Sequence, residues 1–134
     1  MNSLKPAEKQ KILVVDDDDI ILEMVKTVLK NEYDILTAKS GKEALGLFFQ
    51  GLVPQLVLLD LVMPDMDGWD TYTKIKAMSD LHDTHIAIIT SSENSKDIER
   101  AREMGAVDFI KKPVEKDDLL NRVKKLLDKQ PGRA

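Results

Sequence analysis

Five short apolar runs, at residues 11–15, 34–38, 55–59, 86–89 and 107–110, are each followed by a segment whose apolar residues recur with helical spacing. This alternation restricts the fold more than any other feature. Parallel neighbouring strands need a crossover between them, and a helix supplies it. The pattern therefore predicts an α/β domain with a parallel sheet and helices over both faces. Leu56-Val57-Leu58-Leu59 has no polar interruption, as suits a central strand covered on both sides.

The helical segments carry their own punctuation. Ile21, Met24, Val25, Val28 and Leu29 share one face of the first, while Glu23, Lys26 and Lys30 fall outside it. Ser40-Gly41-Lys42-Glu43 reads as a capping box. A second helix should start near Gly41, carry Ala44, Leu45, Leu47, Phe48 and Phe49, and end around Gly51, with Pro54 blocking continuation. Trp69, Tyr72, Ile75 and Met78 mark a third. Asn94 or Ser95 caps a fourth, which carries Ile98 and Ala101 and closes at Gly105. Leu119, Leu120, Val123, Leu126 and Leu127 line a fifth, to about Asp128.

With 134 residues, 43% of them apolar, the chain has material for one domain and one ordinary core. We expect a polar leader at residues 1–9, the domain at 10–128 and a tail at 129–134. The net charge of −4, with both signs well mixed, argues against a surface that tracks nucleic-acid phosphates and fits a protein that meets other proteins. The absence of Cys excludes a disulfide framework, a thiolate metal site and a Cys nucleophile. The leader lacks the apolar stretch of a signal peptide, and the apolar runs fall well short of the ~20 residues of a membrane span. The expected location is the cytoplasm.

In open parallel sheets, ligands bind beyond the carboxyl ends of the strands. That rule gathers Asp16, Asp17, Asp60, Thr90 and Lys112 at one rim. Crowded carboxylates repel one another and call for a cation. Oxygen donors without Cys point to Mg²⁺, which accepts a few carboxylates and often completes its shell with phosphate oxygens. Asp60 stands where the apolar run meets a turn rich in Pro, Asp and Gly. With a cation, the Lys112 ammonium and the Thr90 hydroxyl nearby, it is the best-placed nucleophile for taking a phosphoryl group as an acyl phosphate.

Four motifs in order, Ile12-Leu13-Val14-Val15-Asp16-Asp17, Asp60-Leu61-Val62-Met63-Pro64-Asp65-Met66-Asp67-Gly68, Thr90-Ser91, and Gly105-Ala106-Val107-Asp108-Phe109-Ile110-Lys111-Lys112-Pro113, resemble the receiver domain of two-component response regulators. The resemblance runs from about Lys11 to Asp128. It implies a flavodoxin-like, doubly wound five-stranded sheet in the order 2-1-3-4-5 with five helices, and a role in phosphorelay signalling. Asp60 would accept phosphate from a sensor histidine kinase or a histidine phosphotransfer protein. Mg²⁺ would be held by Asp17, Asp60 and the Val62 carbonyl, with Asp16 acting through water. Lys112 would pair with the phosphoryl group and Thr90 would move toward it. Phe109 would act as the rotamer switch to the surface of helix 4, strand 5 and helix 5, and Pro113 occupies the family's cis-proline position. The only chemistry implied is gain and loss of phosphate at Asp60, with output to a protein target and with homodimerisation on phosphorylation left open. Two departures matter. Val62 stands where some relatives carry an Asn or acid that orients a hydrolytic water, and Phe109 has no hydroxyl.

Two other functions compete. Asp16-Asp17-Asp18-Asp19 also fits the first motif of a haloacid-dehalogenase-like phosphatase, but that family needs a further acidic motif beyond the Lys, where this chain has one helix. A pseudo-receiver that only binds protein would have lost the nucleophile, an acid or the Lys, and none is lost. Blander readings cover the rest. Asp18 and Asp19 read as solvated loop, Asp65 and Asp67 as turn-shaping, Lys111 as solvent-facing, and His82 and His85 as bracketing a loop without a metal role. Trp69, Phe48 and Phe49 read as core or helix-face residues, and Met63 and Met66 as loop packing. Thr90 has the alternative of merely capping the next helix.

Overall fold

The computed structural model describes residues 9–63 and 67–128. The expected leader as far as residue 8, the tail from 129 onward, and Pro64, Asp65 and Met66 lie outside the described residues. In chain order the elements are β1 (Lys11–Val15), α1 (Asp19–Leu29), β2 (Asp34–Ala38), α2 (Gly41–Phe49), β3 (Leu56–Leu59), α3 (Gly68–Lys76), a 3₁₀ turn (Ser79–Leu81), β4 (His85–Thr90), α4 (Ser95–Met104), β5 (Asp108–Lys111) and α5 (Lys116–Leu127). The strands form one parallel sheet in the order β2-β1-β3-β4-β5. This is the doubly wound architecture expected.

Side chains alternate across a strand, so each strand supplies both faces of the sheet. Leu13, Val15, Val57, Leu59, Ile86 and Ile88 pack toward Ala44, Leu45, Phe48, Tyr72, Ile75 and Ala101 of α2, α3 and α4. Ile12, Val14, Leu56, Leu58, Ala87 and Ile89 pack toward Leu22, Val25 and Leu29 of α1 and Leu119, Val123 and Leu127 of α5. The sheet interior is therefore apolar on both sides, which leaves the strand ends to carry the polar chemistry. No helix among the described residues is long and apolar enough to cross a membrane.

Local differences have physical causes. Asp18, expected as solvated loop, is exposed but caps α1 by accepting from the Ile20 N–H at 2.9 Å, and Asp19 opens that helix and pairs with Lys39 at 2.8 Å. Only half of the expected capping box is seen: Ser40 Oγ accepts from the Glu43 N–H at 3.0 Å. α2 stops at Phe49, which points to solvent at 78% exposure, and Gly51 takes the positive φ of 105° that a helix stop favours. α3 ends at Lys76. Met78 reaches the α2–α4 core from extended backbone, so its apolar character rather than helical phase put it in line with Trp69, Tyr72 and Ile75. Asn94, not Thr90, caps α4.

Candidate functional site

Hydrogen bonds that continue the sheet one residue past its strands build the site. The Asp16 N–H donates to the Ala38 carbonyl at 3.0 Å, the Asp60 N–H to the Val15 carbonyl at 2.9 Å, and the Lys112 N–H to the Thr90 carbonyl at 2.8 Å. Asp16 and Asp60 are thereby fixed on adjacent central strands, and Lys112 beside the end of β4. The Lys112–Pro113 peptide bond is cis.

Asp16, Asp17 and Asp60 each offer a carboxylate oxygen within 4.8 Å of the others. Asp16 and Asp60 are buried and Asp17 is exposed, so the cluster opens to solvent on one side. Lys112 Nζ lies 2.7 Å from Asp16 Oδ2 and 3.4 Å from Asp60 Oδ2. Asp16 Oδ1 accepts from the Asp18 N–H at 2.9 Å, and Asp60 Oδ1 from the Val62 N–H at 3.2 Å. Asp16 Oδ2 is buried, and among the described residues its partner is the Lys112 ammonium.

The charges do not balance. Among the described residues, three carboxylates face one ammonium, leaving a formal excess of two negative charges. Burial raises the Asp16 pKa above its ordinary 3.8; the Lys112 contact and the Asp18 N–H oppose this, and the Asp60 charge adds to it. Burial alone would lower the Lys112 pKa, but the bond to Asp16 and the nearby Asp60 charge outweigh it and hold the ammonium above its usual range. A pocket of carboxylate oxygens with surplus negative charge, open to solvent on one side, fits a hard divalent cation.

Thr90 is fully buried at the end of β4. Its Oγ1 accepts from the Ser92 N–H at 3.4 Å, which leaves its own proton free to donate. Phe109 pairs in register with Ile88 and packs, half-buried, against the α2–α4 core. Val62 is 65% exposed, and its N–H holds Asp60 Oδ1. Lys111 is exposed and pairs with Glu93 at 3.0 Å. Asp67 caps α3 by accepting from the Asp70 N–H at 2.9 Å. Met63 is buried. His82 contacts Ser79 and Asp83, and neither His82 nor His85 belongs to a metal-binding group among the described residues.

Gly68 does more than serve the turn that the sequence suggests. It is buried at the first position of α3, where a Cβ would overlap the Asp60 carbonyl oxygen and the Leu61 Cα, and its N–H donates to the Leu61 carbonyl at 2.9 Å. The sequence carries no signal for this approach, since Gly41 likewise follows its cap, Ser40.

The family model for the response regulator receiver domain matches residues 12–124. Histidine kinase P4 of Formosa agariphila is 36% identical over 123 residues, which are 90% of this chain and 9% of that protein. The DNA-binding response regulator MtrA of Mycolicibacterium smegmatis is 37% identical over 117 residues, 87% of this chain and 50% of that regulator. The chain thus spans half or less of these curated relatives. A solved CheY-like receiver domain protein from Methanospirillum hungatei superposes with a TM-score of 0.83 at 30% identity, covering 92% of this chain and 97% of the other. The beryllofluoride-activated DrrB receiver domain gives 0.81 at 30% identity, covering 90% and 99%. The phosphatase alternative is not favoured by any of these likenesses. With its five-stranded 2-1-3-4-5 sheet and acidic rim, the chain belongs to the response regulator receiver domain family.

Proposed function

We propose that this receiver takes a phosphoryl group on Asp60 from the phosphohistidine of a sensor kinase or a histidine phosphotransfer protein, and passes the signal to a protein target. The observation that carries the reading is the convergence of Asp16, Asp17 and Asp60 within 4.8 Å beside Lys112. A carboxylate oxygen of Asp60 attacks phosphorus while the P–N bond of the phosphohistidine breaks. The imidazole leaves with the electron pair and takes a proton from solvent, and an acyl phosphate remains on Asp60.

The surrounding residues divide the remaining work. Lys112, 3.4 Å from Asp60 Oδ2, balances the charge of the incoming phosphoryl oxygens. The Val62 N–H steadies Asp60 Oδ1, and the Thr90 hydroxyl donates to the phosphoryl group once it turns toward it. Mg²⁺, held by Asp17, Asp60 and the Val62 carbonyl with Asp16 through water, would supply charge neutralisation for the carboxylates and the transferring group. Thr90 and Phe109 relay occupancy to the face formed by α4, β5 and α5. The unit that does this is residues 10–128, cytoplasmic, with chemistry confined to gain and loss of phosphate at Asp60. The mixed-charge surface suits a protein target rather than nucleic acid or a membrane.

Intact mass spectrometry after incubation with a small-molecule phosphodonor and Mg²⁺ tests the reading. The wild type should gain one phosphoryl group and Asp60→Asn none. An equal gain in both would remove Asp60 from the role.

A further inference from the structure

α4 is the most lightly seated of the helices. Ala101 is its one buried residue, against three in α1 and three in α5, and Ile98 is 40% exposed. Two contacts with α3 hold it as well. The Arg100 guanidinium lies over the Trp69 ring, 4.5 Å from its centroid, and the Tyr72 hydroxyl donates to the Met104 carbonyl at 2.9 Å. Trp69 and Tyr72 are three residues apart on one helical face, with ring centroids 6.2 Å apart. Trp69 directly follows Gly68, which rests on the Asp60–Leu61 backbone. An unbroken series of contacts therefore runs from the backbone of Asp60 through Gly68 and Trp69 to Arg100 on α4.

We infer that Trp69 and Arg100 are a positioning pair that couples occupancy of Asp60 to the seating of α4, by a route separate from Thr90 and Phe109. The inference rests on the reading of Asp60 as phosphoryl acceptor. Elements with few buried contacts are the ones that move at low cost. A cation over a partly exposed indole biases such an element by about two- to fivefold, the equivalent of ~0.5–1 kcal/mol. That is strong enough to hold a resting position and weak enough for a bound ligand to overcome. Coupling is reciprocal: if filling the Asp60 site loosens the pair, loosening the pair must favour filling the site.

The test is a titration of the full chain with beryllofluoride, a phosphoryl mimic, in the presence of Mg²⁺. It is followed by the fluorescence of Trp69, the chain's only Trp, and independently by melting temperature. In the wild type both signals should change together. Arg100→Gln should bind beryllofluoride about two- to fivefold tighter, with a much smaller fluorescence response, because the ring is already released. Arg100→Lys, which keeps a cation over the ring, should restore wild-type affinity. Tyr72→Phe, which removes the other tie, should shift affinity in the same direction as Arg100→Gln. Arg100 is exposed, and the ligand-free melting temperature of its variants checks that the fold is intact. A wild type that is stabilised without any change in Trp69 emission would overturn the pair. So would an Arg100→Gln variant with unchanged or weaker affinity. Failure of beryllofluoride and Mg²⁺ to stabilise the wild type would overturn the reading of Asp60 itself, and the coupling with it.

Discussion

Asp16 holds its proton more tightly folded than unfolded, because burial penalises its charge more than Lys112 and the Asp18 N–H favour it. Its contribution to stability is therefore full below pH 3.8 and is lost as pH rises through the higher folded value. A cation bound beside Asp16 would relieve the crowding of charge there. Asp16→Asn keeps an oxygen to accept from Asp18 and removes one of the crowded charges. In metal-free buffer it should raise the melting temperature, by roughly 3–5 °C for each kcal/mol gained. It should also shrink the rise produced by Mg²⁺, since a ligand that binds only the folded state stabilises in proportion to its affinity. A lower melting temperature without metal, or an undiminished response to Mg²⁺, contradicts the electrostatic account. Val62 invites a second substitution at this scale. Its exposed side chain has no group to orient a hydrolytic water, so Val62→Asn should shorten the life of the phosphorylated state, measured as decay of the mass-shifted species after the donor is removed. An unchanged decay rate would show that this position does not set the lifetime.

Among the elements, α3 does more than cover the sheet. Its first residue lies against the backbone that carries Asp60, its second and fifth tie it to α4, and Asp67 caps it. At the first position of the helix Gly68→Ala gains little propensity, and its Cβ would overlap the Asp60 carbonyl oxygen and the Leu61 Cα, so that backbone must shift. A net loss of roughly 1–3 kcal/mol is expected in denaturant unfolding, together with slower phosphorylation, because the displaced segment bears Asp60, the proposed acceptor. A neutral or stabilised variant with normal phosphorylation would mean that the approach at Gly68 is loose. The elements themselves were largely legible because strand runs and helix faces report burial directly. Their edges were not. Phe49 and Met78 carry the right character for a helix face, but whether they lie over the sheet depends on where the helix stops, and that is settled by Gly51 and by the return of the chain to β4.

At the scale of the molecule, the site was legible because the topology permits few places for a ligand. Strand ends in a parallel sheet share one rim, so Asp16, Asp17, Asp60, Thr90 and Lys112 could be brought together from their positions after apolar runs. The relations that remained hidden are contacts between residues distant in sequence: Gly68 against Asp60, Arg100 over Trp69, Tyr72 to the end of α4. Periodicity reports which face of an element is apolar and leaves unstated which neighbour meets it. Chemical trapping tells directly whether Asp60, as proposed, is the carboxylate of the acidic rim that takes the phosphoryl group. Borohydride reduces an acyl phosphate to the alcohol, which converts a phosphorylated aspartate to homoserine. Peptide mapping of the wild type treated with phosphodonor, Mg²⁺ and then borohydride should find homoserine at position 60 and aspartate at 16 and 17. Homoserine at 16 or 17, or at none of the three, would contradict the account.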